Sequence, residues 1–78
     1  MKDIEEIKKS MITFVESDIS ELSGQIDEKE GMAFLNRIRG QVGMMRFTGI
    51  INQDEESKLH DKLSEARKKA EKNILKSK

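Results

Sequence analysis

Apolar residues recur along this chain at gaps of three and four positions, which is the period of an amphipathic α-helix. Polar interruptions near residues 24–27 and 49–52 divide the pattern, so it predicts three helices, over residues 3–23, 28–48 and 53–76. The apolar positions of the first helix are Ile4, Ile7, Met11, Phe14, Val15, Ile19 and Leu22. Those of the second are Phe34, Leu35, Ile38, Val42 and Met45, and those of the third are Leu59, Leu63, Ala66, Ala70 and Ile74.

The two interruptions share the pattern G-x-I-[D/N]-x-x-E, which occurs as GQIDEKE at residues 24–30 and as GIINQDE at residues 49–55. A glycine in the left-handed conformation often ends a helix, and we expect Gly24 and Gly49 to do so. An Asp or Asn can cap the next helix, and a Glu three residues later can reach back to the cap residue's N–H. Three such pairs occur: Asp3 with Glu6, Asp27 with Glu30, and Asn52 with Glu55. The repeated pattern is therefore interpreted as a structural signal that ends one helix and begins the next.

The cap candidates are almost evenly spaced, which predicts three helices of similar length with short connections. This arrangement favours an all-α fold, an antiparallel up-down-up three-helix bundle in a single domain over residues 1–78. Only 35% of the residues are hydrophobic while 38% are charged, so the core is thin for a chain of 78 residues. The alternative is a helical hairpin whose core is completed by oligomerisation.

Composition excludes several classes of chemistry. The chain has no cysteine and one histidine, His60, so disulfides and multi-histidine metal sites are excluded. No catalytic or phosphate-binding motif is found, and few residues are left to build a pocket. We therefore expect neither an enzyme nor a bound cofactor or metal. No apolar run is long enough to span a membrane, and the N-terminus does not resemble a signal peptide, so we expect a cytoplasmic protein.

The second predicted helix is apolar on two faces. Four residues lie within about 60° of one another, nearly opposite its core stripe, at 100° per residue; they are Ala33, Gly40, Met44 and Phe47. Phe47 is the one aromatic residue expected to lie off a core stripe. The face is either buried within the chain or forms an interface with a partner.

The same helix holds Gly31, Gly40 and Gly43, each costing about 1 kcal/mol relative to alanine in a helix interior. Close packing against another helix would offset this cost. Arg37 flanks the second face, and we expect it to pair with an acidic segment of a neighbouring chain, residues 16–21. The predicted interface therefore comprises Ala33, Arg37, Gly40, Met44 and Phe47.

These features favour a small helical protein–protein interaction module that acts by binding: a regulator, inhibitor, adaptor or assembly component. We expect a protein partner, with a homodimer or higher oligomer formed by the chain itself. The alternative is a nucleic-acid-associated regulator that uses Arg37, Arg39, Arg46 and the basic third helix. The overall net charge is zero, which disfavours this alternative, although residues 58–78 carry eight bases and three acids.

Overall fold

The computed structural model describes residues 3–77 and contains three α-helices in that range. Helix α1 spans Ile4–Ser23, α2 spans Glu28–Phe47 and α3 spans Gln53–Ser77. Each helix boundary lies within one residue of the predicted one, and no strand occurs in residues 3–77. The predicted three-helix bundle is confirmed, because each helix packs against both of the others.

Side-chain caps begin all three helices, but only one of the three expected reciprocal pairs forms. Asn52 Oδ1 accepts a hydrogen bond from the Glu55 N–H at 2.9 Å, and Glu55 Oε1 accepts one from the Asn52 N–H at 3.0 Å. Asp3 accepts from the Glu6 N–H at 2.9 Å, whereas Asp27 accepts from Lys29 N–H at 3.0 Å. The return bonds expected from Glu6 and Glu30 are not formed within the described chain, so their prediction was wrong. The start of α3 is therefore the most completely capped.

The two glycine-marked helix ends differ in backbone geometry. Gly49 has φ of +80°, and the N–H of Ile50 bonds the carbonyl of Met45 while that of Gly49 bonds the carbonyl of Arg46. These two bonds define the Schellman ending. Gly24, in contrast, has φ of −95°, so the left-handed conformation predicted for it was wrong. At this end the N–H groups of Gly24 and Gln25 bond the carbonyls of Glu21 and Leu22. Side chains complete it, because Gln25 Nε2 also bonds the Glu21 carbonyl and Asn73 Nδ2 of α3 bonds that of Ser23.

Alanine substitution at Gly49 and at Gly24 should have different effects on the stability of the fold. Gly49→Ala is expected to lower the free energy of unfolding by about 1–2 kcal/mol, because a Cβ is strained in the left-handed region. Gly24→Ala should be neutral or slightly stabilising, because its added Cβ would lie 3.7 Å from the Glu21 carbonyl oxygen, an ordinary contact. Urea denaturation of both variants measures the difference, and equal effects would contradict the assigned helix endings.

The core is a single cluster drawn from all three helices and the second connection. Its most deeply buried large side chains are Val15, Leu22, Ile38, Val42, Met45 and Ile51. The third helix contributes smaller residues and two leucines, namely Leu59, Leu63, Ala66 and Ala70. The chain's own third helix closes the core, so the alternative hairpin completed by another chain is not needed.

Polar contacts fix α1 and α3 in a parallel arrangement. Lys8 Nζ lies 2.7 Å from Glu55 Oε2 near the start of both helices, and Lys62 bonds Glu16 near their middle. The Lys8 ammonium, with a further contribution from the Asn52 N–H, holds the pKa of Glu55 below its usual range. The hydrogen bond to Glu55 in turn raises the pKa of Lys8. Glu55 therefore joins the cap of α3 to α1.

The stabilisation that the Glu55 carboxylate gives to the fold should be lost at acidic pH. A carboxylate with a lowered pKa in the folded chain stabilises the fold above its unfolded pKa, and the stabilisation disappears as the pH falls through the folded value. We expect Glu55→Gln to melt at a lower temperature than the wild type at pH 7. The gap should close as the pH falls below about 4, beneath the ordinary glutamate value. Glu65→Gln, which removes only an exposed pair with Lys68, is the control; a gap that is constant with pH would exclude this role.

Candidate protein-binding face

One side of the bundle, where α1 and α2 pack, is left open as an apolar groove of about 660 Å³. Phe14 of α1 and Arg37, Gly40 and Met44 of α2 line it. The remaining lining residues are Ser10, Met11, Val15, Gln41 and Met45. We use the name α1/α2 face for this groove together with Ala33 and Phe47, which lie on the same side of α2 by helical rotation.

The second face of α2 is exposed to solvent in the single chain. Phe47 is 88% exposed, Met44 is 61% exposed, and Ala33 and Gly40 are also exposed. The alternative that both faces are buried within one chain is therefore wrong. Of the five predicted interface residues, Arg37, Gly40 and Met44 line the groove, while Ala33 and Phe47 extend the face beyond it.

Phe14 of α1 is the face residue that the sequence pattern misplaced. It was assigned to the core stripe and only Phe47 was expected to lie outside, but Phe14 is 54% exposed. Phe14 and Val15 are adjacent, so they point about 100° apart around the helix. Val15, only 2% exposed, takes the core position and turns Phe14 toward the edge of the α1/α2 contact.

The glycines of α2 fall into two groups. A Cβ added to Gly31 would meet Ile74 Cδ1 of α3 at 3.7 Å, so that glycine packs within the bundle. A Cβ at Gly40 or Gly43 would meet no described atom within 4 Å, the backbone of their own helix aside. The close packing expected to offset these two glycines is thus absent between the described helices. Their cost, about 1 kcal/mol each, is uncompensated by the bundle core.

Arg37 is held by its own chain. Its Nε lies 3.5 Å from Asp18 Oδ2, and its guanidinium carbon lies 5.9 Å from the centre of the Phe14 ring. The expected pairing with an acidic segment of a neighbouring chain is therefore already met by Asp18. The Asp18–Arg37 distance exceeds a good hydrogen bond, and both Asp18 Oδ2 and Gln41 Oε1 are buried without a hydrogen-bond partner. Polar atoms near the groove are thus incompletely satisfied.

A second, smaller apolar groove lies between the start of α2 and the end of α3. It has a volume of about 390 Å³, with Met32 and Leu75 exposed at its edge. Gly31, Leu35 and Ile74 form its apolar wall. Sequence periodicity missed this groove because Met32 lies outside both apolar faces predicted for α2, and Leu75 lies outside the apolar stripe predicted for α3.

The basic residues named in the nucleic-acid alternative do not form one surface. Arg37 contacts Asp18 on the α1/α2 face, whereas Arg46 contacts Glu56 of α3 at 3.7 Å. On α3, Lys62 bonds Glu16, and Arg67 Nε lies 3.2 Å from Glu71 Oε1. Many of these charges are therefore engaged by carboxylates of the same chain.

Residues 3–77 contain no helix that is long and apolar enough to cross a membrane. In the same range, no group of three or more His, Cys, Asp or Glu side chains is placed to hold a metal ion. Comparisons of this chain with protein-family models, with curated proteins and with solved structures find no match.

Proposed function

We propose that this protein is a cytoplasmic protein–protein interaction module, a regulator, inhibitor, adaptor or assembly component, whose binding surface is the α1/α2 face. The observation that carries the proposal is that three large apolar side chains are exposed on this one face. Phe14, Met44 and Phe47 are each more than half exposed, and a Cβ at Gly40, on the same side of α2 as Met44 and Phe47, would meet no side chain within 4 Å. Contiguous apolar surface rimmed by polar residues is typical of interaction sites.

Burial of this face against a partner would stabilise the complex through a hydrophobic contribution that the isolated chain lacks. Fully burying a Phe or Met side chain contributes about 1.5–3 kcal/mol. The chemistry also fits an interface centre, since aromatic residues, Met and Arg are enriched there. Arg37 stacked near Phe14 presents both kinds of group together. The face therefore combines surplus apolar area with an arginine whose side chain is about half exposed.

Binding rather than catalysis is also supported by the position of the shifted titratable groups. Lys8 and Glu55, whose pKa values are shifted, are bonded to each other and to the cap of α3. Their environment is a helix-capping contact, so they serve the fold. The nucleic-acid alternative is less well supported, because its arginines lie on different sides of α2 and no aromatic platform accompanies the lysines of α3.

Phe47→Glu is expected to abolish partner binding while the protein stays folded. The side chain is 88% exposed, so the substitution should change the free energy of unfolding by less than about 0.5 kcal/mol. A charge introduced into an apolar interface should nevertheless prevent burial of this position. The test is affinity capture from the native cell with tagged wild type and variant, followed by mass spectrometry.

The matched control is Leu75→Glu, the same change at another exposed apolar position, 70% exposed and lining the second groove. Wild type and Leu75→Glu should retain the same proteins, whether copies of the chain or other proteins, and Phe47→Glu should lose them. Loss with Leu75→Glu and retention with Phe47→Glu would show that the second groove is the binding surface and refute the proposal.

A further inference from the structure

We infer that a second copy of this chain covers the α1/α2 face, with its α2 antiparallel to the first α2 about a two-fold axis near Gly40. This inference rests on the proposed function, because it names the partner of the same face. A two-fold interface uses one patch twice, so the patch must be complementary to itself. The order of large and small residues along α2 meets that condition.

The exposed face of α2 has the spacing of a helix–helix seam. Its residues follow one another at alternating gaps of four and three: Ala33, Arg37, Gly40, Met44 and Phe47. This alternation keeps one stripe of a helix against a partner helix over several turns. All five residues are exposed in the isolated chain. The whole seam is therefore free to contact another helix.

In this antiparallel arrangement, residues equally distant from Gly40 in opposite directions face each other, and the largest residues, Phe47 and Arg37, face small ones. Phe47 and Ala33 are equally distant from Gly40, so each phenylalanine faces an alanine of the other copy. By the same count, Arg37 faces Gly43 and Met44 faces Asn36. Gly40 faces itself, where the absence of a Cβ lets the two backbones approach closely. The open space around Gly40 and Gly43 in the single chain is the room that this arrangement requires.

The charges on the face do not oppose this pairing. Arg37 carries the Asp18 carboxylate with it, so each copy brings a neutral pair to the contact. Arg39 and Arg46 lie at least about 100° around the helix from Gly40, so they point away from the seam. Like charges are consequently not brought face to face near the axis.

The available area is compatible with a specific dimer. A buried aromatic side chain contributes about 150–250 Å². Phe14, Met44 and Phe47 together therefore offer on the order of 400 Å² per copy, about half of the roughly 800 Å² that each partner contributes to a standard interface. The other seam residues and the walls of the groove lie beside them and supply further area.

The absence of cysteine from the sequence allows a disulfide test of this geometry. Asn36→Cys and Met44→Cys each lie four residues from the axis, so like cysteines would be about 12 Å apart across it, too far for a disulfide. An Asn36 cysteine would, however, face a Met44 cysteine of the second copy. Under mild oxidation, an equimolar mixture should give at least a tenfold higher yield of cross-linked dimer than either variant alone. Ser64→Cys, exposed on α3, serves as the background control.

Light scattering of the wild type from about 1 µM to 1 mM, the range of moderate to weak dissociation constants, should show a dimer that Phe47→Glu dissociates. Self-cross-linking of each single variant above the mixture would indicate a parallel arrangement and overturn the inference. A monomeric wild type would also overturn it. In that case, Phe47-dependent capture of a different protein would leave the proposed function standing, whereas no Phe47-dependent capture would refute both.

Discussion

Ile38→Ala is expected to lower the free energy of unfolding by about 2–5 kcal/mol, the largest stability effect of any change discussed for this chain. Ile38 has no exposed surface and lies in the core stripe of α2, where all three helices meet. The substitution removes apolar contacts and leaves a cavity that a thin core cannot easily fill. A loss of this size is a large fraction of the stability of a small domain.

The matched control for this core substitution is Ile26→Ala, since Ile26 is 64% exposed in the first connection. The same chemical change there should alter the unfolding free energy by less than about 0.5 kcal/mol. Urea denaturation of the two variants, compared at constant slope, measures the difference. Equal destabilisation would show that the bundle does not pack around Ile38 as described.

Replacing Gly40 and Gly43 together by alanine is expected to stabilise the isolated chain by about 2 kcal/mol. Glycine in a helix interior costs about 1 kcal/mol relative to alanine, and the two added methyl groups would meet no described atom within 4 Å apart from the backbone of their own helix. The expected gain appears as a higher urea midpoint at a concentration where the chain is monomeric. A destabilised double variant would show that the bundle itself needs both glycines.

The same double variant should bind its partner more weakly, because the added methyl groups occupy the space that a close helix contact requires. Stability and binding would then change in opposite directions, as is common where a protein keeps a costly feature for function. If the double variant gains stability and keeps full association, the glycines have no role in the face.

The sequence predicted the bundle well because its signals were local. Helix periodicity, the Asn52–Glu55 cap and the Schellman ending at Gly49 each depend on residues within six positions of one another. The wrong prediction at Gly24 shows that local signals do not determine every helix end. That helix end is completed by Asn73 of α3, fifty positions along the chain, so a neighbouring helix supplies part of what a left-handed glycine would otherwise provide.

The candidate site was predicted only in part, for a related reason. Periodicity identified the second face of α2, because all five seam residues belong to one helix. It missed Phe14, since the choice between Phe14 and Val15 for the core depends on how α1 is rotated against α2 and α3. It also assigned Arg37 to a neighbouring chain, because the proximity of Asp18 follows from the α1/α2 packing alone.

Two methionines on opposite ends of α2 allow the most direct test that the α1/α2 face is a binding surface. Met44 is 61% exposed on that face, and Met32 is 50% exposed beside the second groove. With methyl-labelled methionine and a soluble nitroxide, the dilute chain should show strong paramagnetic broadening of both methyl signals. At high concentration, or with a captured partner, Met44 should become protected while Met32 remains broadened. Persistent broadening of Met44 under both conditions, or protection of Met32 instead, would contradict the assignment of this face.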